Sequence, residues 1–318
     1  MRSCALSDEA QREFREVQAY FRLPSIALIE KDLHVVRAIA AITAIDAAPF
    51  TLVFGGGTAL ARAHKLVRRM SEDVDFKIVP APAASVSRNA LRRQLGLLRE
   101  RVSTALQAAG FAFDPKDASE SWSRDENRYT IWQLPYANDA GAGEGEGLRP
   151  RIKIELTYAP LRRPTIMLPV SSFVAEAYSR APEVPLIACV SIVETAAEKP
   201  VSLTRRTAMV MAGASRDPDP TLVRHIYDLH MMRELVDPTV FTALVRAIAQ
   251  ADAAEFANQY PAYAADIAGE TRTALTALRS DPVHRDRYIR FMADMVYGER
   301  PDFGVAMDTV AGLAERVW

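Results

Sequence analysis

The chain has 318 residues, more than one small core requires, so the usual domain size predicts two domains or one domain with a large appendage. Hydrophobic residues make up 49% and charged residues 25%, which excludes a disordered chain and a fibre. The 39 Lys and Arg residues against 40 Asp and Glu residues give a net charge of −1. This balance excludes a strongly basic nucleic-acid binder but leaves room for a locally basic groove.

The cysteine content and the hydropathy pattern predict the compartment. Cys4 and Cys189 form neither a disulfide framework nor a zinc site. No uncharged apolar run approaches the ~20 residues that a membrane span needs. The first residues turn acidic and helical without the apolar region of a signal peptide. We therefore expect a reduced, soluble, cytoplasmic protein with no membrane partner.

Hydrophobic periodicity predicts the secondary structure in chain order. The expected elements are helices at 7–47, 58–69 and 87–109, and strands at 50–55, 73–79, 110–113, 127–134, 151–158 and 164–168. Residues 137–149 are rich in Gly and polar residues and indicate a long hairpin loop. Beyond about residue 171 the strand signals fade, and prolines punctuate helical segments. The pattern predicts a half containing both strands and helices over 1–170, joined to a helical half over 171–318.

The strand at 73–79 carries two acidic side chains on one face. Asp73 and Asp75 are two residues apart, so both carboxylates project from the same side while Val74 and Phe76 pack behind them. Two like charges this close repel unless a cation lies between them. Oxygen ligands of this kind suit Mg²⁺ or Mn²⁺. From this pair alone, a solvated strand face remains the alternative.

A second strand, RIKIELTY, shows the same alternation of polar and apolar residues. Lys153, Glu155 and Thr157 share its polar face. If the two strands are neighbours, Glu155 joins the aspartates as a third metal ligand. Three carboxylates can hold the two metal ions of in-line nucleotidyl transfer, ~4 Å apart.

A glycine-rich turn precedes the acidic strand. The run Gly55–Gly57 allows backbone N–H groups to approach an anion, and Thr58 opens a helix whose N-terminus favours phosphate. The Walker pattern of phosphate-binding loops is absent. An ordinary glycine turn explains the run equally well.

Five segments, taken together, resemble the AbiEii/AbiGii (MenT-like) toxin family, within the DNA polymerase β-type nucleotidyltransferase superfamily. The matching segments are IEKDLHVV (29–36), FGGGTAL (54–60), RRMSEDVDF (68–76), ETAAEKP (194–200) and RHIYDL (224–229). The resemblance runs in order from about residue 29 to 232. It implies an α+β fold, in which a polymerase β-type nucleotidyltransferase core with a mixed sheet flanked by helices (1–170) is followed by a helical domain (171–318) that completes the active-site cleft.

The resemblance also implies an activity. This is Mg²⁺-dependent (or Mn²⁺-dependent) transfer of a nucleoside monophosphate from an NTP to an acceptor hydroxyl, the 3′ end of tRNA, which blocks translation. A cognate, AbiEi-like antitoxin would restrain the toxin in a type IV-like system. The implied catalytic residues are Ser71, Asp73, Asp75, Lys199 and Asp228. The implied nucleotide-binding residues are Gly56, Gly57, Thr58, Ser71 and Lys199, and the expected metal ligands are Asp73, Asp75 and, from strand alternation, Glu155.

Lys199 and Asp228 carry little signal apart from the resemblance. Because Pro200 follows Lys199, the pattern predicts that one helix ends at Lys199 and another begins at Pro200. A surface lysine at a helix end is then the simpler interpretation. Asp228 lies four residues after Arg224, a spacing that favours an ordinary intrahelical ion pair.

The sequence departs from the family pattern at Gly55 (usually lysine), Ala59 (serine) and Pro200 (leucine). Two alternative functions stay open. One is a catalytically idle family member that binds a nucleotide or a partner protein. The other is a nucleotidyltransferase acting on a small molecule such as an aminoglycoside, which would share the metal site.

Overall fold

The computed structural model describes residues 7–81, 87–136, 148–214 and 219–318. The chain forms two compact units. The first comprises Met1–Val190 and Asp294–Tyr297, and the second Ser191–Ala293 and Gly298–Trp318. Most of the loop predicted at 137–149 lies outside the described residues.

The first unit begins with two helices, α1 (Asp8–Phe21) and α2 (Ala27–Thr43). The Ser7 hydroxyl accepts a hydrogen bond from the Ala10 N–H at 3.2 Å, which satisfies one of the N–H groups that a helix start leaves unpaired. The predicted helical segment at 7–47 is thereby confirmed.

A seven-stranded mixed sheet forms the centre of the first unit. Its strands are β1 (Phe50–Gly55), β2 (Asp73–Pro80), β3 (Ser121–Arg124), β4 (Tyr129–Pro135), β5 (Arg151–Tyr158), β6 (Ile166–Val170) and β7 (Val184–Cys189). They lie in the order β3-β4-β5-β2-β1-β7-β6. Strand β2 runs antiparallel to β1 and parallel to β5, and β1 runs parallel to β7.

One face of this sheet forms the hydrophobic core. Val74, Phe76 and Ile78 of β2 are buried together with residues of α2 and of the long helix α4 (Arg88–Ala108). Ser87 caps α4 by accepting the Ala90 N–H. Because side chains alternate along a strand, burying the apolar set sends the acidic set of β2 to the opposite face.

The helix after the glycine turn is much shorter than predicted. A single turn, α3 (Gly56–Thr58), continues as a π-helical segment, Ala59–Ala63, in which the His64 N–H donates to the Ala59 carbonyl at 2.9 Å. Lys65 then adopts a left-handed conformation with φ of 55°. All five residues of the π-helical segment are buried. The helix was predicted too long because the apolar residues Leu66 and Val67 continue beyond its end.

Three strand assignments also differ from the prediction. Residues 110–113 alternate like a strand, with Phe111 and Phe113 buried, but they pair with no described strand. The four residues of β3, SWSR, were missed because their position depends on pairing with β4. Strand β7 was missed because its short apolar run, VPLIAC, cannot be told from buried helix by periodicity.

The described residues of the second unit form helices joined by turns, whereas the predicted helical half, 171–318, begins earlier and also contains strand β7 of the first unit. The helices of the second unit are α6 (Ile192–Met211), a 3₁₀ turn (Pro220–Leu222), α7 (Val223–Met232), α8 (Pro238–Phe256), α9 (Pro261–Ala265), α10 (Ile267–Ser280), α11 (Pro282–Met295) and α12 (Phe303–Glu315). The last two residues of α11 belong to the first unit, which also contains the short helix α5 (Phe173–Ala177). Prolines occupy the first positions of α8, α9 and α11, where the missing N–H costs nothing.

The expected helix break at Pro200 is wrong, because α6 runs without interruption through this proline. A proline in a helix interior removes one hydrogen bond and crowds the carbonyl four residues earlier. Pro200 is buried, and its carbonyl accepts the Thr204 hydroxyl at 2.8 Å. Lys199 therefore lies in the middle of a helix.

Candidate active site

The acidic residues of β2 lie beside the polar face of β5. In the parallel register, Asp75 is the neighbour of Glu155 and Asp73 is the neighbour of Lys153. The strands β2 and β5 are therefore neighbours, which the prediction of Glu155 as a third ligand requires. All three carboxylates are half-buried.

The glycine turn packs directly against one of these carboxylates. Gly56 has a φ of +71°, and a Cβ atom there would stand 2.0 Å from Oδ2 of Asp75. At Gly57 a Cβ would stand 2.4 Å from Nη2 of Arg69 and 2.9 Å from Oγ of Ser71. A side chain at either position would collide with these groups, so the sequence FGGGT allows the backbone of the turn to lie against the acidic strand.

Two hydroxyl groups connect the turn with the acidic strand. Thr58 is fully buried, and its hydroxyl donates a hydrogen bond to the Asp73 carbonyl oxygen. Ser71 is 8% exposed and its Oγ lies under Gly57. The structure thus brings six of the predicted residues together: Gly56, Gly57, Thr58, Ser71, Asp73 and Asp75.

The carboxylates of Asp73 and Glu155 are each paired with a cationic side chain. Nη2 of Arg149 lies 2.6 Å from Oδ1 of Asp73, and Lys153 forms an ion pair with Glu155. The Tyr129 hydroxyl also bonds to Glu155; burial first, and then that carboxylate, raises the pKa of the phenol. Strand alternation could have indicated Lys153 as a partner of Glu155. No sequence pattern pointed to Arg149.

A buried ion pair links α2 to the residue that precedes β2. Nζ of Lys31 in α2 lies 2.5 Å from Oε1 of Glu72, and both side chains are fully buried. Burial lowers the pKa of the Lys31 ammonium, although Glu72 opposes this shift. The same carboxylate accepts the backbone N–H of Arg149 at 2.7 Å. Lys31 thereby joins α2, the start of β2 and the segment that leads into β5.

Asp32, the next residue of α2, forms an ion pair with the π-helical segment that follows the glycine turn. Oδ1 of Asp32 lies 3.0 Å from Nε of Arg62, and Oδ2 accepts the Phe173 N–H at 2.7 Å. The Arg62 guanidinium also covers the Phe173 ring at 3.6 Å. Burial raises the pKa of the Asp32 carboxyl to about 6, against the opposing effect of Arg62.

In the second unit, Lys199 and Asp228 form a buried ion pair. Nζ of Lys199 in α6 lies 2.7 Å from Oδ2 of Asp228 in α7, with side-chain exposures of 8% and 0%. The interpretation of Lys199 as a surface lysine at a helix end is therefore wrong. The partner of Asp228 lies 29 residues away in the sequence, which helical spacing within RHIYDL could not indicate.

Comparison with known proteins identifies the family. Residues 38–309 match the family described as "Nucleotidyl transferase AbiEii toxin, Type IV TA system". The chain belongs to the AbiEii family. It is thus a nucleotidyltransferase toxin of a type IV toxin–antitoxin system, with NTP as its substrate and an antitoxin as its partner. The resemblance found in the sequence is confirmed.

A solved structure supports the fold of this AbiEii protein. MenT4, a nucleotidyltransferase toxin from Mycobacterium tuberculosis H37Rv, matches with a TM-score of 0.57 and 16% identity. The match covers 96% of this chain and 89% of MenT4. It confirms the predicted nucleotidyltransferase fold of a mixed sheet followed by helices. No curated protein matches the sequence.

A nucleotidyltransferase of this type generally uses a divalent cation, and the aspartates of β2 fit one. Within the described ranges, no three His, Cys, Asp or Glu side chains converge as a complete metal site. However, Mg²⁺ usually binds through one or two carboxylates together with substrate phosphates. Asp73 and Asp75 supply two carboxylates on one strand face, and the absence of a side chain at Gly56 leaves room for the Asp75 carboxylate itself. Glu155 as a third ligand stays a prediction.

None of the helices in the described ranges has the length and apolar character that a membrane crossing requires.

Proposed function

We propose that this AbiEii toxin transfers a nucleoside monophosphate from an NTP to the 3′-terminal hydroxyl of tRNA in the presence of Mg²⁺. The modified tRNA would no longer serve translation, and the antitoxin would relieve the block. The observation that carries the proposal is the glycine turn packed against Asp75, with Asp73 on the same strand face. This arrangement provides a phosphate-binding turn and two oxygen ligands at one place.

The predicted site residues of the first unit have separate roles in this reaction. Asp73 and Asp75 hold the cation, which when bound would polarise the α-phosphate and lower the pKa of the acceptor hydroxyl. The N–H groups of Gly56 and Gly57, with the Ser71 hydroxyl, bind the triphosphate. Thr58 fixes the backbone of Asp73 through the hydrogen bond to its carbonyl.

Lys199 and Asp228 are proposed to act on the leaving group. Pyrophosphate gains charge as it departs, and a lysine ammonium neutralises such charge as a compact point charge. The carboxylate of Asp228, at 2.7 Å, orients that ammonium and balances its charge within a buried environment. This assignment is supported by the motifs that Lys199 and Asp228 share with the family.

The choice of the tRNA 3′ end as the acceptor is supported by the resemblance to the MenT-like toxins. A direct test incubates the protein with total tRNA, Mg²⁺ and each of four α-³²P-labelled NTPs, beside an Asp75→Asn variant. We expect label in RNA with the wild-type protein and none with the variant. Label in RNA from both proteins would contradict the metal-ligand assignment.

The same assay separates the two alternative functions. Pyrophosphate release without labelled RNA, together with labelling of an added aminoglycoside, would identify a small-molecule acceptor. Thermal stabilisation by NTP and Mg²⁺ without any pyrophosphate release would identify a catalytically idle binding protein. Either result would refute tRNA as the acceptor.

A further inference from the structure

Arg149 lies directly on the first of the two candidate metal ligands. Its Nη2 is 2.6 Å from Oδ1 of Asp73, and its Nε is 3.4 Å from Oε2 of the buried Glu72. The guanidinium thus lies between two carboxylates, while 38% of the side chain remains accessible to solvent. None of the five family segments contains Arg149.

The backbone of Arg149 is fixed by the same group of residues. Its N–H donates to Oε1 of Glu72 at 2.7 Å, and its carbonyl accepts from Nζ of Lys31 at 2.6 Å. Lys31 and Glu72 are fully buried, so they hold the main chain of Arg149 on both sides. Arg149 is therefore placed at Asp73 in advance, and little conformational entropy is lost when its guanidinium binds there.

A fixed cation at Asp73 has two consequences for ligand binding. Asp73 and Asp75 repel each other, and Arg149 relieves that repulsion when no metal is bound. A divalent cation must compete with the guanidinium for Asp73, which lowers the affinity for the cation alone. A triphosphate provides the displaced guanidinium with a new partner, because guanidinium groups bind phosphate oxygens in a two-pronged geometry.

We propose that Arg149 is the counter-ion of Asp73 in the nucleotide-free protein and passes to the triphosphate of the incoming nucleotide. Metal and nucleotide then bind cooperatively. The nucleotide draws Arg149 away from Asp73 and so frees the carboxylate for the metal. A metal at Asp73 in turn frees the guanidinium for the nucleotide. The inference rests on the proposed metal site at Asp73 and Asp75. It predicts that loss of the guanidinium has opposite effects on the two ligands, which a purely structural role would not produce.

The test compares Arg149→Gln with Arg151→Gln. The control removes the same charge two residues further along the chain, where Nη1 of Arg151 faces Glu120 at 3.8 Å. Binding of Mn²⁺ alone is measured by electron paramagnetic resonance, and binding of inorganic tripolyphosphate without metal is measured by calorimetry. Relative to wild type, we expect Arg149→Gln to bind Mn²⁺ about tenfold more tightly and tripolyphosphate about tenfold more weakly. Arg151→Gln should change neither affinity by more than about twofold.

An Arg149→Lys variant adds a rescue test. Lysine keeps the charge beside Asp73, so its affinity for Mn²⁺ should stay close to that of wild type. Tripolyphosphate binding should recover only in part, because an ammonium lacks the planar two-pronged geometry of a guanidinium.

Four results would overturn the inference. Equal Mn²⁺ affinity in wild type and Arg149→Gln would refute it, and the metal site would still stand if Asp75→Asn abolished binding. Weaker binding of both ligands by Arg149→Gln would assign the residue a purely structural role. Absence of Mn²⁺ binding in both proteins, or binding that Asp75→Asn retains, would refute the metal site itself and the inference with it.

Discussion

Gly56 and Asp75 are fitted to each other so closely that a single added carbon at Gly56 would lie 2.0 Å from Oδ2 of the carboxylate. The left-handed φ of +71° adds a second reason for glycine at this position. The turn and the acidic strand therefore form one unit, in which the position of the carboxylate depends on the absence of a side chain opposite it.

Gly56→Ala should abolish nucleotidyl transfer by displacing the Asp75 carboxylate. Gly110→Ala is the matched control, because Gly110 has a φ of +90° with no atom within 4 Å of an added Cβ. Both variants should lower the free energy of unfolding by about 1 kcal/mol or more through backbone strain. Urea denaturation checks this, and radiolabel transfer separates the two. Full activity in Gly56→Ala would show that the turn does not position Asp75.

Thr58→Val should reduce the rate of transfer without unfolding the chain. Valine keeps the shape of threonine but cannot donate to the Asp73 carbonyl, so the backbone that carries the first metal ligand is less firmly held. Thr43→Val removes a comparable hydrogen bond, from the Thr43 hydroxyl to the Ile39 carbonyl at 2.8 Å, within α2. Each variant should lose about 1 kcal/mol of stability. We expect kcat to fall only in Thr58→Val, and equal rates would contradict the assigned role.

The Lys199–Asp228 pair allows stability and catalysis to be separated. Asp228→Asn leaves a buried ammonium without its counter-charge, so the free energy of unfolding should fall by about 3–5 kcal/mol. The double variant Lys199→Met/Asp228→Leu replaces the pair with apolar groups of similar size and should recover most of that loss. It should nevertheless fail to transfer nucleotide. A stable, active double variant would show that the pair is structural.

Acid pH should change the contribution of Asp32 to stability in a defined direction. Its folded-state pKa of about 6 exceeds the usual value of 3.8, because burial disfavours the charged carboxylate. The folded state therefore binds the proton more tightly, and this stabilisation is present below pH ~4 and lost as the pH rises through ~6. The unfolding free energy of wild type, measured against Asp32→Asn, should fall by about 2 kcal/mol between pH 4 and pH 7. Parallel pH profiles for the two proteins would contradict the shifted pKa.

Local sequence patterns predicted much of the first unit, because its signals are short-range. Alternation in DVDFKIV and RIKIELTY indicated two strands with polar faces, and Ser87 indicated the start of α4. The mixed sheet and the later helices followed from the same periodicities together with the family resemblance.

The missing parts depend on contacts between distant residues. Arg149 reaches Asp73 across 76 positions, and the partners Lys199 and Asp228 are 29 apart, so no local spacing marks either pair. Pro200 misled because the cost of a proline inside a helix can be offset by packing that the sequence does not reveal. Arg69, which follows another arginine, is 2% exposed and lies under Gly57, a burial that its charge does not indicate.

The most direct test of nucleotidyl transfer to a terminal hydroxyl uses intact tRNA beside tRNA whose 3′ end has been oxidised with periodate. With the wild-type protein and Mg²⁺, label from the α-phosphate of an NTP should enter intact tRNA and label from the γ-phosphate should not. Oxidised tRNA, which lacks the acceptor hydroxyl, should take up neither. Equal α-label in both RNAs, or transfer of the γ-label, would contradict the proposed reaction.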